Sequence, residues 1–254
     1  MHPRNNRAGV LFFCLGTGLL ILVIQGAGMM KGDRLVFPDA GEIGRTFIRL
    51  MGEKRTWILL GTTLSHTAIA LSAALFAGVI TGLAEGLIPG FHSLCKPFMV
   101  MLRSLPMIVL AIIIMVLVPY RYVPPIASCL AALPIISEGV YEGCIHIEPE
   151  LLDVYRINSR FSLRVLFQVY IPLISGYLKA AFVNAAGTGL KVAVTAEYLV
   201  QTRDSLGKAV FTSSYFNEYA EIYAYALIMI LLTVLVTGLP RLIGRARQCL
   251  QRGK

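Results

Sequence analysis

Three stretches of this chain carry no Asp, Glu, Lys or Arg at all: Ala8 to Met30, Trp57 to Ala84 and Ile222 to Pro240, of 23, 28 and 19 residues. A bilayer core is crossed by about 20 apolar residues in a helix. Lipid offers no partner for backbone N–H and C=O groups, so a crossing segment must be helical. These runs therefore dictate an all-α, polytopic membrane protein. Two shorter charge-free runs, Ser104 to Tyr120 and Tyr122 to Ser137, flank Arg121 and predict two helices joined by a tight turn. A further apolar segment, Ala180 to Thr202, is interrupted by Lys191 and Glu197. Six spans follow, over 8–30, 57–84, 98–120, 122–144, 178–202 and 220–242, in a single membrane domain covering 1–254. Arg4 and Arg7 precede the first run, which is longer than the 7–15 apolar residues of a signal peptide. It reads as a permanent helix.

Charge supports the same class. Only 15% of residues are charged, against roughly 25% in a soluble domain. The net charge of +9 reads as membrane topology, with no motif for nucleic acid beside it. An even number of spans puts both termini on one side. Placing them in the cytoplasm puts 13 Lys/Arg inside and nine outside, a weak positive-inside bias. The segment Lys31 to Arg55 weakens it with six basic residues. There, Asp39 and Glu42 have the spacing of a capping box. Ile43, Phe47, Leu50 and Met51 then form one apolar stripe, predicting an amphipathic helix over 39–52 lying on the membrane surface. Cys14, Cys95, Cys129, Cys144 and Cys249 form no CxxC pair and read as packing residues. His2, His66, His92 and His146 are scattered, and no metal or other cofactor is expected.

The connection between the fourth and fifth spans is too long and too ordered for a plain loop. Pro149 suits a first helical position, and Glu150 and Asp153 fall in a first turn favoured for acids. Ser162 then caps a second helix with Leu163, Leu166, Phe167 and Tyr170 on one stripe. Pro172 ends that helix or kinks it into the next span.

This segment resembles the cytoplasmic signature of ATP-binding-cassette importer permeases: Glu-Ala-Ala, three residues, Gly, nine residues, an aliphatic residue, one more, Leu-Pro. Asp153, Val154, Tyr155, Ser159, Val169, Ile171 and Pro172 stand in register with it. Only Pro172 is identical, and Tyr155 and Ser159 depart from the usual small residues. Further likeness is to the nitrate, sulfonate and taurine branch. It lies in Val36-Phe37-Pro38-Asp39, in Leu102-Arg103-Ser104-Leu105-Pro106, in Leu133-Pro134-Ile135-Ile136, and in Lys191-Val192-Ala193-Val194-Thr195-Ala196-Glu197. The Trp-Phe-Gly expected at the end of the third span is replaced by Leu117-Val118-Pro119.

The resemblance implies a permease in the cell (inner) membrane. Its loop over 147–172 would dock two copies of an ATP-binding cassette subunit through Leu152, Asp153, Val154, Tyr155, Ser159 and Pro172. It also implies a periplasmic or extracellular substrate-binding protein and a permease homodimer within the lipid bilayer. The chain itself lacks GxxxxGK[ST], so ATP hydrolysis is expected in a partner and no catalytic site here. Ionisable groups within spans carry a functional default. Lys191 and Glu197 either line the translocation path, with Lys191 facing an anionic solute, or pair structurally with another helix or a second copy. Glu138 and Glu142 are expected at the inner mouth of the path or packed against the coupling region, and Arg103 at the cytoplasmic interface. An ATP-independent secondary transporter or channel is the alternative.

Overall fold

A computed structural model describes residues 38–147 and 166–252. The expected first span over 8–30 and residues 148–165 of the loop lie outside the described residues. The elements are α1 (Ala40–Gly52), α2 (Lys54–Leu87), α3 (Phe91–Ser104), α4 (Met107–Leu117), α5 (Val123–Ile145), α6 (Ile171–Val200), α7 (Leu206–Tyr215) and α8 (Tyr219–Arg252). Among the described residues every regular element is helical. Four segments are long and apolar enough to cross a membrane: Lys54–Leu87, Tyr120–Ile145, Gln168–Val200 and Tyr219–Gly238.

The core is α2, α5 and α6. Leu71, Ala74, Ala132, Ile136, Ile174 and Ala185 are buried where they meet. Glycine brings the backbones together, because lipid supplies no hydrophobic drive for helix association and close packing must. A Cβ on Gly78 of α2 would stand 2.8 Å from Ile136 Cγ2 of α5, and one on Gly143 of α5 would stand 2.9 Å from Ile174 Cβ of α6. The order of contacts fixes direction. Gly78, Gly82 and Gly86 meet Ile136, Val140 and Cys144 in turn, so α2 and α5 run parallel. Gly139 and Gly143 meet Ala181 and Ile174, so α6 runs antiparallel to α5.

Parallel α2 and α5 require the chain between them to return across the membrane, and this is the expected third span. It is not one helix over 98–120. α3 and α4 meet at a bend of 103°. Pro106 has no N–H to continue the ladder, so the Leu105 N–H closes on Met101 O at 3.1 Å and a new ladder opens from Leu110 N–H to Pro106 O at 3.1 Å.

Three other expectations are corrected. The capping box does not form: the Asp39 side chain makes no cap bond, and its carbonyl accepts from the Glu42 and Ile43 N–H groups instead. The stripe of α1 meets protein, with Leu50 buried among Leu59, Leu60, Tyr225 and Ile228. Of the two outcomes expected at Pro172, the proline does not end the helix. It sits in the first turn of α6, and a π turn over Leu166–Tyr170 precedes it. A wider turn is one way to relieve a proline ring that would clash with the carbonyl four residues back.

Candidate functional site

Along α6 the exposed side chains recur at helical spacing. Asn184, Lys191 and Thr195 are exposed and Thr188 is half-buried, all on one face. The Thr195 hydroxyl donates to the Lys191 carbonyl at 2.9 Å, the usual way a span hides a hydroxyl. Opposite faces of the same helix are buried: Ala185, Gly189, Val192 and Ala196 lie against protein. At the middle of the bundle the Ser128 hydroxyl of α5 donates to Gly189 O at 2.8 Å, two residues from Lys191. A Lys at the centre of a bilayer costs roughly 2.5–3.5 kcal/mol when it faces lipid. Among the described residues no carboxylate lies within ion-pair distance of Lys191. A polar stripe of this kind inside a span calls for water or a polar partner.

Glu197, six residues on, is placed quite differently. Its side chain is fully buried. Oε2 accepts from the Thr63 hydroxyl at 2.8 Å and from the Gly207 N–H at 3.2 Å. Oε1 is hydrogen-bonded to His66 Nδ1 at 2.8 Å. Thr63 Oγ1 in turn accepts from the Leu206 N–H at 3.1 Å. The carboxylate thus sits on the N-terminal turn of α7, where free N–H groups and the helix dipole favour negative charge. Ser205 completes the cap by accepting from the Lys208 N–H at 3.3 Å.

A second buried carboxylate lies near the other end of α2. Glu85 Oε1 accepts from the Ser137 hydroxyl at 3.0 Å, and Oε2 accepts from His92 Nδ1 at 3.0 Å. Thr81 donates to Ser137 Oγ at 2.9 Å. The His92 ring stacks on Tyr141 with centroids 4.0 Å apart and planes 6° off parallel. Thr63 and Glu85 are 22 residues apart, or about 33 Å along a helix, close to the roughly 30 Å of a hydrocarbon core. The two clusters bracket it, and Lys191 lies between them.

Glu138 is exposed and pairs with Arg103. Arg103 Nη2 also donates to the Pro134 carbonyl at 2.9 Å, so this arginine is tied to α5 and does not merely reach for the interface. The structure therefore does not bring Lys191, Glu197 and Glu138 together. Leu152, Asp153, Val154, Tyr155 and Ser159 lie outside the described residues, and Pro172 is exposed at the start of α6. Sequence reasoning missed Thr63, His66, Glu85 and His92. Glu85 looked like the end of an apolar run, yet α2 continues past it to Leu87. That continuation was the available signal.

The same arrangement of helices occurs in the permeases of ATP-driven importers. A structure described as inward-facing conformations of the MetNI methionine ABC transporter matches with a TM-score of 0.66 at 17% identity, over 77% of this chain and 98% of that one. A bacterial ABC transporter involved in import of the acidic polysaccharide alginate matches with a TM-score of 0.68 at 13% identity, over 95% and 96%. An amino acid ABC transporter with histidines matches with a TM-score of 0.62 at 18% identity, over 76% and 95%. The class is the permease subunit of an ATP-driven importer. No curated protein sequence matches the chain. Residues 74–247 match the family described as binding-protein-dependent transport system inner membrane component, and the chain belongs to that family.

Proposed function

We infer that the solute crosses the membrane along the Asn184–Thr188–Lys191–Thr195 face of α6, and that this face lines a water-filled path shared with a second copy of the chain. The observation that carries the reading is Lys191: exposed, between the two carboxylate clusters, and without an ion-pair partner among the described residues. A partner that merely buried the stripe in apolar contact would leave a charge unpaired, at a cost of several kcal/mol. Glu197 and Glu138 belong to the scaffold around the path in this reading, because each is already bonded within the protein.

The loop over 147–172 is the coupling segment, with both termini and the loop in the cytoplasm. Leu152, Asp153, Val154, Tyr155 and Ser159 enter a groove on an ATP-binding subunit, one such subunit per permease copy. Pro172 fixes the return into α6. ATP-driven closure of the two ATP-binding subunits then rocks the permease between inward and outward access, and a binding protein delivers the solute on the far side. Four short sequence likenesses favour the nitrate, sulfonate and taurine branch. Co-purification tests the coupling assignment. The chain expressed with its ATP-binding subunit is expected to copurify as a complex, and Asp153→Arg with Val154→Arg is expected to abolish it. Retention of the ATP-binding subunit by the double variant would contradict the assignment.

A further inference from the structure

The two halves of the broken span are held in different ways. α4 is packed in apolar contact: Leu110, Ala111 and Ile114 are buried in one cluster with Val123, Ala127 and Val192 of α5 and α6. Among the described residues α3 buries a single side chain, Leu102, next to the break. Its Leu94, Phe98 and Met101 are half or more exposed. What fixes α3 is polar and sits at its two ends. At one end His92 is hydrogen-bonded to Glu85 of α2 and stacked on Tyr141 of α5. At the other, Arg103 holds the Pro134 carbonyl and Glu138 of α5.

We propose that α3 is a pivoting half-span and that Glu85 is the positioning residue that latches it. The pivot is Leu105–Pro106, where no backbone hydrogen bond joins the two helices. An element with few buried apolar contacts opens locally at low cost, whereas α4 cannot leave without unpacking the core. The latch groups suit repeated release. His92, at the outer edge of the cluster, is partly exposed and regains water when it parts from Glu85. Glu85 is buried and cannot. Once His92 leaves, one of its oxygens lacks a donor, which favours a discrete closed position over a continuum. The latch also lies at the root of the loop. Tyr141 is one turn from Ile145, where α5 ends, so displacement of the loop reaches His92 through the stacked ring. That use in transport rests on the importer reading above; the latch itself does not.

Pulsed electron-spin distance measurement on the permease in lipid nanodiscs tests this without any partner. Spin labels go on Leu94→Cys and Ile145→Cys, both exposed, after the native cysteines are replaced. A second pair, Val116→Cys and Ile69→Cys, reports on α4 against α2. The parent protein is expected to give one narrow distribution for each pair. Glu85→Gln keeps an acceptor for Ser137 and a group that can bond His92, so it is expected to match the parent. Glu85→Leu and His92→Leu are each expected to add a second, longer population to the Leu94–Ile145 pair alone. Superimposable distributions in the parent and both leucine variants would overturn the proposal. So would equal broadening of the α4 pair, which would mean general loosening. If Glu85→Leu does not assemble, His92→Leu decides the question, because it frees the latch without emptying the buried site.

Discussion

The two buried carboxylate clusters use the same parts and do opposite work. Each has a glutamate, a histidine bonded through Nδ1 and a hydroxyl from a neighbouring span. At Glu197 every partner is locked in. The carboxylate is fully buried and accepts from the Gly207 N–H, its partner Thr63 accepts from the Leu206 N–H, and Gly207 is pressed against α6 so closely that a Cβ would stand 2.5 Å from Glu197 Cβ. At Glu85 one partner is a half-exposed ring on a helix with almost no apolar anchor. The first cluster welds a short helix to the bundle and the second holds a helix that can leave. Enclosure and backbone partners, more than residue type, decide which role a buried carboxylate plays.

The largest effect that would break this contrast is at Glu197. Glu197→Leu leaves the Thr63, His66 and Gly207 donors unsatisfied, and is expected to cost about 3–5 kcal/mol, read as lower thermal stability of the detergent-solubilised protein. Gly207→Ala should cost less, about 1–3 kcal/mol by overpacking. It is read on the same assay and as increased hydrogen exchange across residues 206–215. His92→Leu should lower stability by about 1–3 kcal/mol, the cost of leaving one oxygen of the buried Glu85 without a donor, and by less than Glu197→Leu, which strands three donors. Equal losses at His92 and Glu197 would erase the distinction between the two ends.

The smallest effect concerns Glu218, at the turn into α8. It hydrogen-bonds Glu221 and is repelled by its charge, which raises the Glu218 carboxyl above the ordinary carboxylate range, with Arg49 opposing. A raised carboxyl pKa means that the folded state binds the proton more tightly than the unfolded one. The resulting stability is present at low pH and is lost as pH rises through the folded pKa. Glu218→Gln should remove this slope, by only a few tenths of a kcal/mol because the group is solvated. Melting temperature against pH for the two proteins checks it.

Much of the fold was legible because the bilayer imposes length and polarity on each span. The runs around Trp57–Ala84 and Ile222–Pro240 needed no more than counting, and the stripe Ile43, Phe47, Leu50, Met51 placed α1. The break after Ser104 was not legible in the same way. Composition records apolar length but not axis direction, and Pro106 alone does not state an angle. α7 was missed because ten residues after a span, with Gly207 in the first turn, carry little helical signal. The clusters were missed for a different reason. Glu197 and Thr63 are 134 positions apart, and Glu85 and Ser137 are 52, so only packing brings them together. Lys191 stood out as a charge within a span, yet that it has no ion-pair partner among the described residues emerged only once its neighbours were in place.

The path along α6 is tested most directly by thiol accessibility in the assembled transporter. Single cysteines at Asn184 and Thr188, in a background without the native ones, are treated with a membrane-impermeant methanethiosulfonate in sealed vesicles. Reaction from one side of the membrane without nucleotide, and from the other with ATP and vanadate, is the predicted result. Two positions that stay unreactive from both sides in both states would mean the stripe is dry, and the path assigned to α6 would be wrong.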